Sequence, residues 1–174
     1  LVDRPYAILS FAHGPGPVPD YKTWKRDGFI AAGKSLVANG LAPVIVGGKA
    51  DEVEAAALAD SIGEGAVSLA GRTSLAQLAA VIQGAELLIG VDSGPVHLAA
   101  ALGVPVIGLY GPTDPAVTGP HGDNNIVLRK ELPCAPCRVP NCDGRPCITG
   151  ISPEEVISAT EKLLAKNTKI PRKA

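Results

Sequence analysis

Short apolar runs alternate with longer amphipathic ones along this chain, and each apolar run breaks off at glycine, proline or charge. Runs of that kind predict strands near Tyr6 to Phe11, Ala42 to Val46, Ala66 to Leu69, Glu86 to Val91, Pro105 to Tyr110 and Asn125 to Leu128. Helical periodicity fills the gaps between them. Trp24 to Asn39 places Phe29, Ile30, Leu36 and Val37 on one face and stops at Gly40. Asp51 to Ile62 begins with acids in its first turn, and Ser74 to Gln83 has Thr73 or Ser74 as its cap. A last helix over 151–166 opens with Ser152 as N-cap, Pro153 at the first position and Glu155 as capping-box partner.

Strands alternating with helices in this way predict an α/β fold, a Rossmann-like parallel sheet with helices on both faces, in a single domain over 1–174. Between the sheet and the last helix, the irregular stretch 132–150 holds all four cysteines. A loop of that length needs its own reason to be ordered.

Composition narrows the function. With 46% hydrophobic residues the chain reads as globular, and a formal net charge of −1 provides no global positive field for nucleic acid or an anionic membrane. Aromatics at 3% leave no stacking platform for single strands. The basic end from Lys162 to Lys173 reads as a solvated tail, with a membrane-surface patch as the alternative. No apolar run reaches the length of a bilayer span, and Leu1-Val2-Asp3-Arg4-Pro5 lacks the basic and apolar regions of a secretory signal. The expected location is therefore cytoplasmic. A start without Met suggests a chain cut from something longer.

The strand ending at Val91 runs into Asp92-Ser93-Gly94 and then a helix. Backbone N–H groups and the helix dipole at Ser93-Gly94 favour a phosphate there, and Gly94 lets a ligand approach closely. His97, four residues after Ser93, fits a phosphate donor or a partner of Asp92; a satisfied core histidine is the plainer alternative. The next strand delivers Gly111-Pro112-Thr113-Asp114-Pro115 to the same edge, where ligands of such sheets settle. In the Gly- and Pro-rich loop after the first strand, Lys22 reads as a phosphate ligand or a solvated charge, and Trp24 as a packing anchor that fixes where Lys22 points. After Gly47-Gly48, Asp51 or Glu52 fits a ribose hydroxyl, or equally an ordinary helix-start acid. That glycine pair does not match G-x-G-x-x-G, which argues against an ordinary NAD site. Arg72 is balanced between a diphosphate and solvent.

Cys134, Cys137, Cys142 and Cys147 have knuckle-like spacing, for which a structural zinc is the first reading. Free or partly oxidised thiols come next and a disulfide pair last. Four protein thiolates would leave no open position for a catalytic metal.

Taken together, Asp92-Ser93-Gly94-Pro95-Val96-His97-Leu98-Ala99-Ala100, Ala70-Gly71-Arg72-Thr73-Ser74-Leu75, Gly111-Pro112-Thr113-Asp114-Pro115 and Ile151-Ser152-Pro153-Glu154-Glu155-Val156 resemble the carboxy-terminal half of glycosyltransferase family 9. This is the ADP-heptose:lipopolysaccharide heptosyltransferase family, and the resemblance runs from Tyr6 to about Leu164. It implies the second, donor-binding half of a two-domain GT-B enzyme that moves a heptose onto lipopolysaccharide core. It implies that Asp92, Ser93, Gly94 and His97 contact the diphosphate and sugar of an ADP-sugar donor, that Lys22 binds phosphate, and that Asp51 or Glu52 meets the ribose. It implies a structural cysteine loop and no cofactor for catalysis. It further implies that the catalytic acid, and the contact with a lipid-anchored oligosaccharide acceptor, belong to an N-terminal domain absent from this chain, with a location peripheral to the inner face of the inner membrane as one expectation. The chain departs from the family pattern in the Pro-rich stretch before Trp24 and in Lys25, where the family keeps proline. A non-catalytic nucleotide-binding module, or a GT-B enzyme or epimerase using a UDP-sugar, are the other readings.

Overall fold

The computed structural model describes residues 4–11, 21–63, 65–137, 139 and 142–167. The Pro-rich part of the first loop, 12–20, and the end of the basic tail lie outside these residues. The strands are β1 (Tyr6–Ser10), β2 (Ala42–Val46), β3 (Val67–Ser68), β4 (Leu88–Val91), β5 (Val106–Tyr110) and β6 (Asn125–Arg129). They form one sheet in the order β3-β2-β1-β4-β5-β6, with every pairing parallel. The helices are α1 (Arg26–Ala38), α2 (Glu52–Ile62), α3 (Leu75–Gln83), α4 (Gly94–Ala101), α5 (Pro115–Thr118), α6 (Pro146–Thr149) and α7 (Pro153–Asn167).

Both faces of the sheet are covered, as the near-continuous apolar strands require. Along β1, Ala7 and Leu9 join a core with Phe29 and Leu36 of α1, Leu58 of α2, and Val156 and Leu163 of α7. Ile8 points the other way, into a core with Val81 and Ile82 of α3 and Val96 and Ala99 of α4. This alternation follows from the two-residue period of a strand. Of the two caps offered for α3 it is Ser74 that serves, its Oγ accepting from the Gln77 N–H, and the capping box expected at Ser152 forms, Ser152 Oγ accepting from the N–H of Glu155. The short helices α5 and α6 stand where loop alone was expected. Asp114 starts the first by accepting from the Ala116 N–H, and prolines at 115 and 146 preset both.

Strand order reverses between β1 and β4, the switch point at which such sheets open a crevice at their carboxyl edge. Leu9 pairs with Ile89 and Ser10 with Gly90 across that seam. The strands and α4 are tight there: a methyl on Gly90 would meet the Ser10 carbonyl oxygen at 3.0 Å and Val96 Cγ2 at 3.1 Å.

Candidate functional site

At the end of β4, Ser93 turns its hydroxyl back to the Val91 carbonyl at 2.9 Å, and its Oγ lies 3.4 Å from that of Ser10. It therefore makes no side-chain cap on α4, unlike Ser74, Asp114 and Ser152 on their helices. The N-terminal donors of α4 face the crevice without a side-chain acceptor. A methyl built on Gly94 would find nothing within 4 Å, so the first residue of the helix borders open space.

Two nitrogen-bearing side chains, Lys22 and His97, converge on Asp92, which is 5% exposed. Lys22 Nζ lies 2.7 Å from its Oδ2, and His97 Nε2 lies 3.4 Å from its Oδ1. Burial alone would raise the Asp92 carboxyl, but Lys22, Thr113 and His97 outweigh it and hold the group below the usual carboxylate range. Asp92 is thus a carboxylate at neutral pH. Lys22 keeps 21% of its side chain exposed and His97 keeps 45%. Each can hold Asp92 on one side and present N–H groups to the crevice on the other. Tyr110, beside them, has its phenol pushed up by burial first and then by the Asp92 charge, and donates to the Thr118 carbonyl at 2.8 Å.

The geometry thus brings Lys22, Asp92, Ser93, Gly94 and His97 together, across 70 residues of sequence between Lys22 and Asp92. Asp51 and Glu52 stand at the end of β2, two strands from β4, or about 10 Å across the sheet at ordinary strand spacing. Asp51 Oδ2 accepts from the Gly48 N–H at 2.7 Å and is occupied in closing the turn. Glu52 extends over Gly71, whose φ of +68° permits the close approach that any side chain there would block. Trp24 is buried to 2% exposure, with its indole N–H donating to the Ile151 carbonyl at 2.9 Å. It is the packing anchor the sequence indicates.

The zinc expectation is not supported. Among the described residues no three Cys, His, Asp or Glu side chains gather as a metal site, although Cys134, Cys137, Cys142 and Cys147 are all described. Cys134 is exposed, whereas Cys147 lies on α6 and is buried against Gly111, with Sγ 3.2 Å from where a methyl there would sit. Burial, with Cys137 and Cys142 nearby, pushes the Cys147 thiol up. The described residues of this segment are held by other contacts. The Cys137 N–H donates to the Pro112 carbonyl at 3.0 Å and Ile148 enters the core, so this segment braces the loop after β5 from behind.

The glycosyltransferase family 9 (heptosyltransferase) model matches residues 2–147. The chain belongs to glycosyltransferase family 9. It is 36% identical to lipopolysaccharide heptosyltransferase 3 of Escherichia coli K12 over 154 residues, which is 84% of this chain and 44% of that one. Among solved structures, E. coli ADP-heptose lps heptosyltransferase II superimposes with a TM-score of 0.81 at 25% identity, covering 95% of this chain and 48% of that one. E. coli heptosyltransferase WaaC with ADP gives a TM-score of 0.74 at 27% identity, covering 91% and 44%. The chain thus spans about half or less of the length of the relatives it matches.

Within this family 9 chain, sequence reasoning passed over Thr113 and Tyr110. Their loop was placed correctly at the carboxyl edge, but neither residue type carries a chemical signature strong enough to stand out from a turn. A groove of about 380 Å³ between β6 and α7, lined by Ile126, Leu128 and Ala159, lies at the outer edge of the sheet, away from the switch point. Among the described residues no helix is long and apolar enough to cross a membrane.

Proposed function

We propose that this chain is the donor-binding half of a glycosyltransferase that moves a heptose from an ADP-linked donor to a lipid-anchored lipopolysaccharide core, working on the cytoplasmic face of the membrane. The observation that carries this reading is the lysine and histidine pair, Lys22 and His97, held by one buried carboxylate beside a helix start without a side-chain cap. A nucleotide diphosphate is a compact dianion, and that arrangement offers it two cationic or hydrogen-bonding side chains and a helix dipole. As the glycosidic bond to the diphosphate breaks, negative charge grows on the leaving oxygen, and preorganised donors there stabilise it. Glu52, whose side chain makes no hydrogen bond among the described residues, is the acid we assign to the ribose, because Asp51 is committed to Gly48. An ADP-bound relative superimposing over most of this chain supports the same ligand class.

Calorimetry with ADP, UDP and ADP-heptose tests the reading. The expected order is ADP-heptose tighter than ADP, and ADP tighter than UDP; equal affinity for ADP and ADP-heptose favours a nucleotide-binding module, and a preference for UDP overturns the donor assignment. Gly94→Ala supplies a local check. A methyl there meets nothing, and alanine is the better helix former by about 0.5–1 kcal/mol, so the variant is expected to melt no lower than the parent. The same methyl would stand in the ligand's approach to the backbone, and ADP affinity is expected to fall about tenfold, the worth of one charge-assisted hydrogen bond. Unchanged affinity would remove the α4 terminus from the site.

A further inference from the structure

The loop after β5 holds a hydroxyl with no partner. Thr113 is 5% exposed, and its Oγ1 is fully buried without a hydrogen bond among the described residues. A buried hydroxyl left unsatisfied destabilises a fold, so such a group in a well-packed protein calls for a cause. Its surroundings indicate one. Thr113 stands close enough to Asp92 for its dipole to help hold that carboxyl down, yet outside hydrogen-bonding geometry with it. It follows β5, which pairs with β4, and therefore sits at the same carboxyl edge as the start of α4.

The loop is also fixed on every side. The Pro112 carbonyl accepts from the Cys137 N–H at 3.0 Å, and Gly111 packs so closely on α6 that a methyl would meet Ile148 Cβ at 2.8 Å. On the other flank, Asp114 Oδ1 accepts from the Ala116 N–H at 3.0 Å. With its neighbours Gly111, Pro112 and Asp114 each held in place, the hydroxyl is kept beside Asp92 at this edge, positioned for an oxygen of a ligand bound there.

We infer that Thr113 is a donor-site residue whose hydroxyl hydrogen-bonds an oxygen of the diphosphate-sugar portion of the bound nucleotide sugar, beside Asp92 and the start of α4. This rests on the donor-site reading above and adds to it a residue outside the Asp92-to-His97 turn. It also makes stability and affinity move in opposite directions on substitution. Thr113→Val keeps the shape and deletes only the hydroxyl, so the free chain loses an unsatisfied group while the complex loses a bond.

The test compares the parent chain, Thr113→Val and Thr113→Ser by thermal melting without ligand and by calorimetry with ADP and with ADP-heptose. Thr113→Val is expected to melt no lower than the parent, and up to about 4 °C higher, while binding about tenfold more weakly; Thr113→Ser is expected to keep most of the affinity. Equal losses for ADP and ADP-heptose assign the partner oxygen to the diphosphate, and a loss confined to ADP-heptose assigns it to the sugar. A Thr113→Val chain that binds both as tightly as the parent overturns the inference while leaving the donor site standing. So does one that melts lower and is not restored by serine, which is the mark of a purely structural hydroxyl. A parent chain that binds neither ligand overturns both.

Discussion

Trp24→Ala is expected to lower stability by about 3–5 kcal/mol, the usual cost of truncating a fully buried aromatic to alanine. The ring packs edge-on against Phe29, with centroids 5.1 Å apart and planes at 75°, and Phe29 meets Phe11 in the same manner at 6.4 Å. Gly28 exists for this ring: a methyl there would sit 2.5 Å from Trp24 Cζ2. Deletion also leaves the Ile151 carbonyl without its donor at the turn that starts α7, so first and last helices lose their tie. A domain with a total stability of about 5–15 kcal/mol survives such a loss only narrowly. Trp24→Phe is therefore measured beside it, since it keeps most of the ring and removes the indole donor. Chemical denaturation is expected to rank parent, Trp24→Phe and Trp24→Ala in falling order. ADP affinity should fall in the same order because Lys22 lies two residues ahead of the anchor. An alanine variant within about 1 kcal/mol of the parent would contradict the packing account.

The same tryptophan shows what the sequence could and could not supply. A lone large aromatic at a helix start already reads as an anchor, but nothing in the pattern names Ile151 as its acceptor, because the two are 127 positions apart. All six strands were legible from short apolar runs, and the cap near Ser74 and the capping box at Ser152 from local spacing, since both depend on neighbours within a few residues. The turn at Asp92-Ser93-Gly94 was legible for the same reason. That Lys22 meets Asp92 follows only from the order β1 beside β4, which strand patterns do not give. The cysteines misled because spacing along a chain says nothing about burial. Once α6 forms around Cys147, that thiol is buried against Gly111, while Cys134 stays exposed. Thr113 was overlooked because its importance is a missing partner, a property that exists only in three dimensions.

Asp92→Asn is expected to disable the site without reshaping it. The substitution is nearly isosteric, but it removes the charge that Lys22 Nζ meets at 2.7 Å and His97 Nε2 at 3.4 Å, and it turns an amide toward at least one of them. Removing one member of a fully buried ion pair costs about 3–5 kcal/mol; here the loss should be smaller, because Lys22 retains 21% side-chain exposure. The pH dependence fixes the sign. Asp92 has a carboxyl held below its ordinary value, so its contribution is complete above the unfolded carboxylate range near pH 4 and is lost as pH falls through the depressed value. Parent and variant should therefore differ most at neutral pH and converge in acid, as measured by denaturant midpoints across the acid limb. Binding gives the decisive contrast. If Asp92 fixes Lys22 and His97 for a diphosphate, the variant weakens ADP by about 10–100-fold, the worth of one charged hydrogen bond or a little more. ADP-heptose should lose affinity in the same proportion. Should ADP bind the variant normally while ADP-heptose alone suffers, the carboxylate touches the sugar itself, and Lys22 and His97 hold their positions without it.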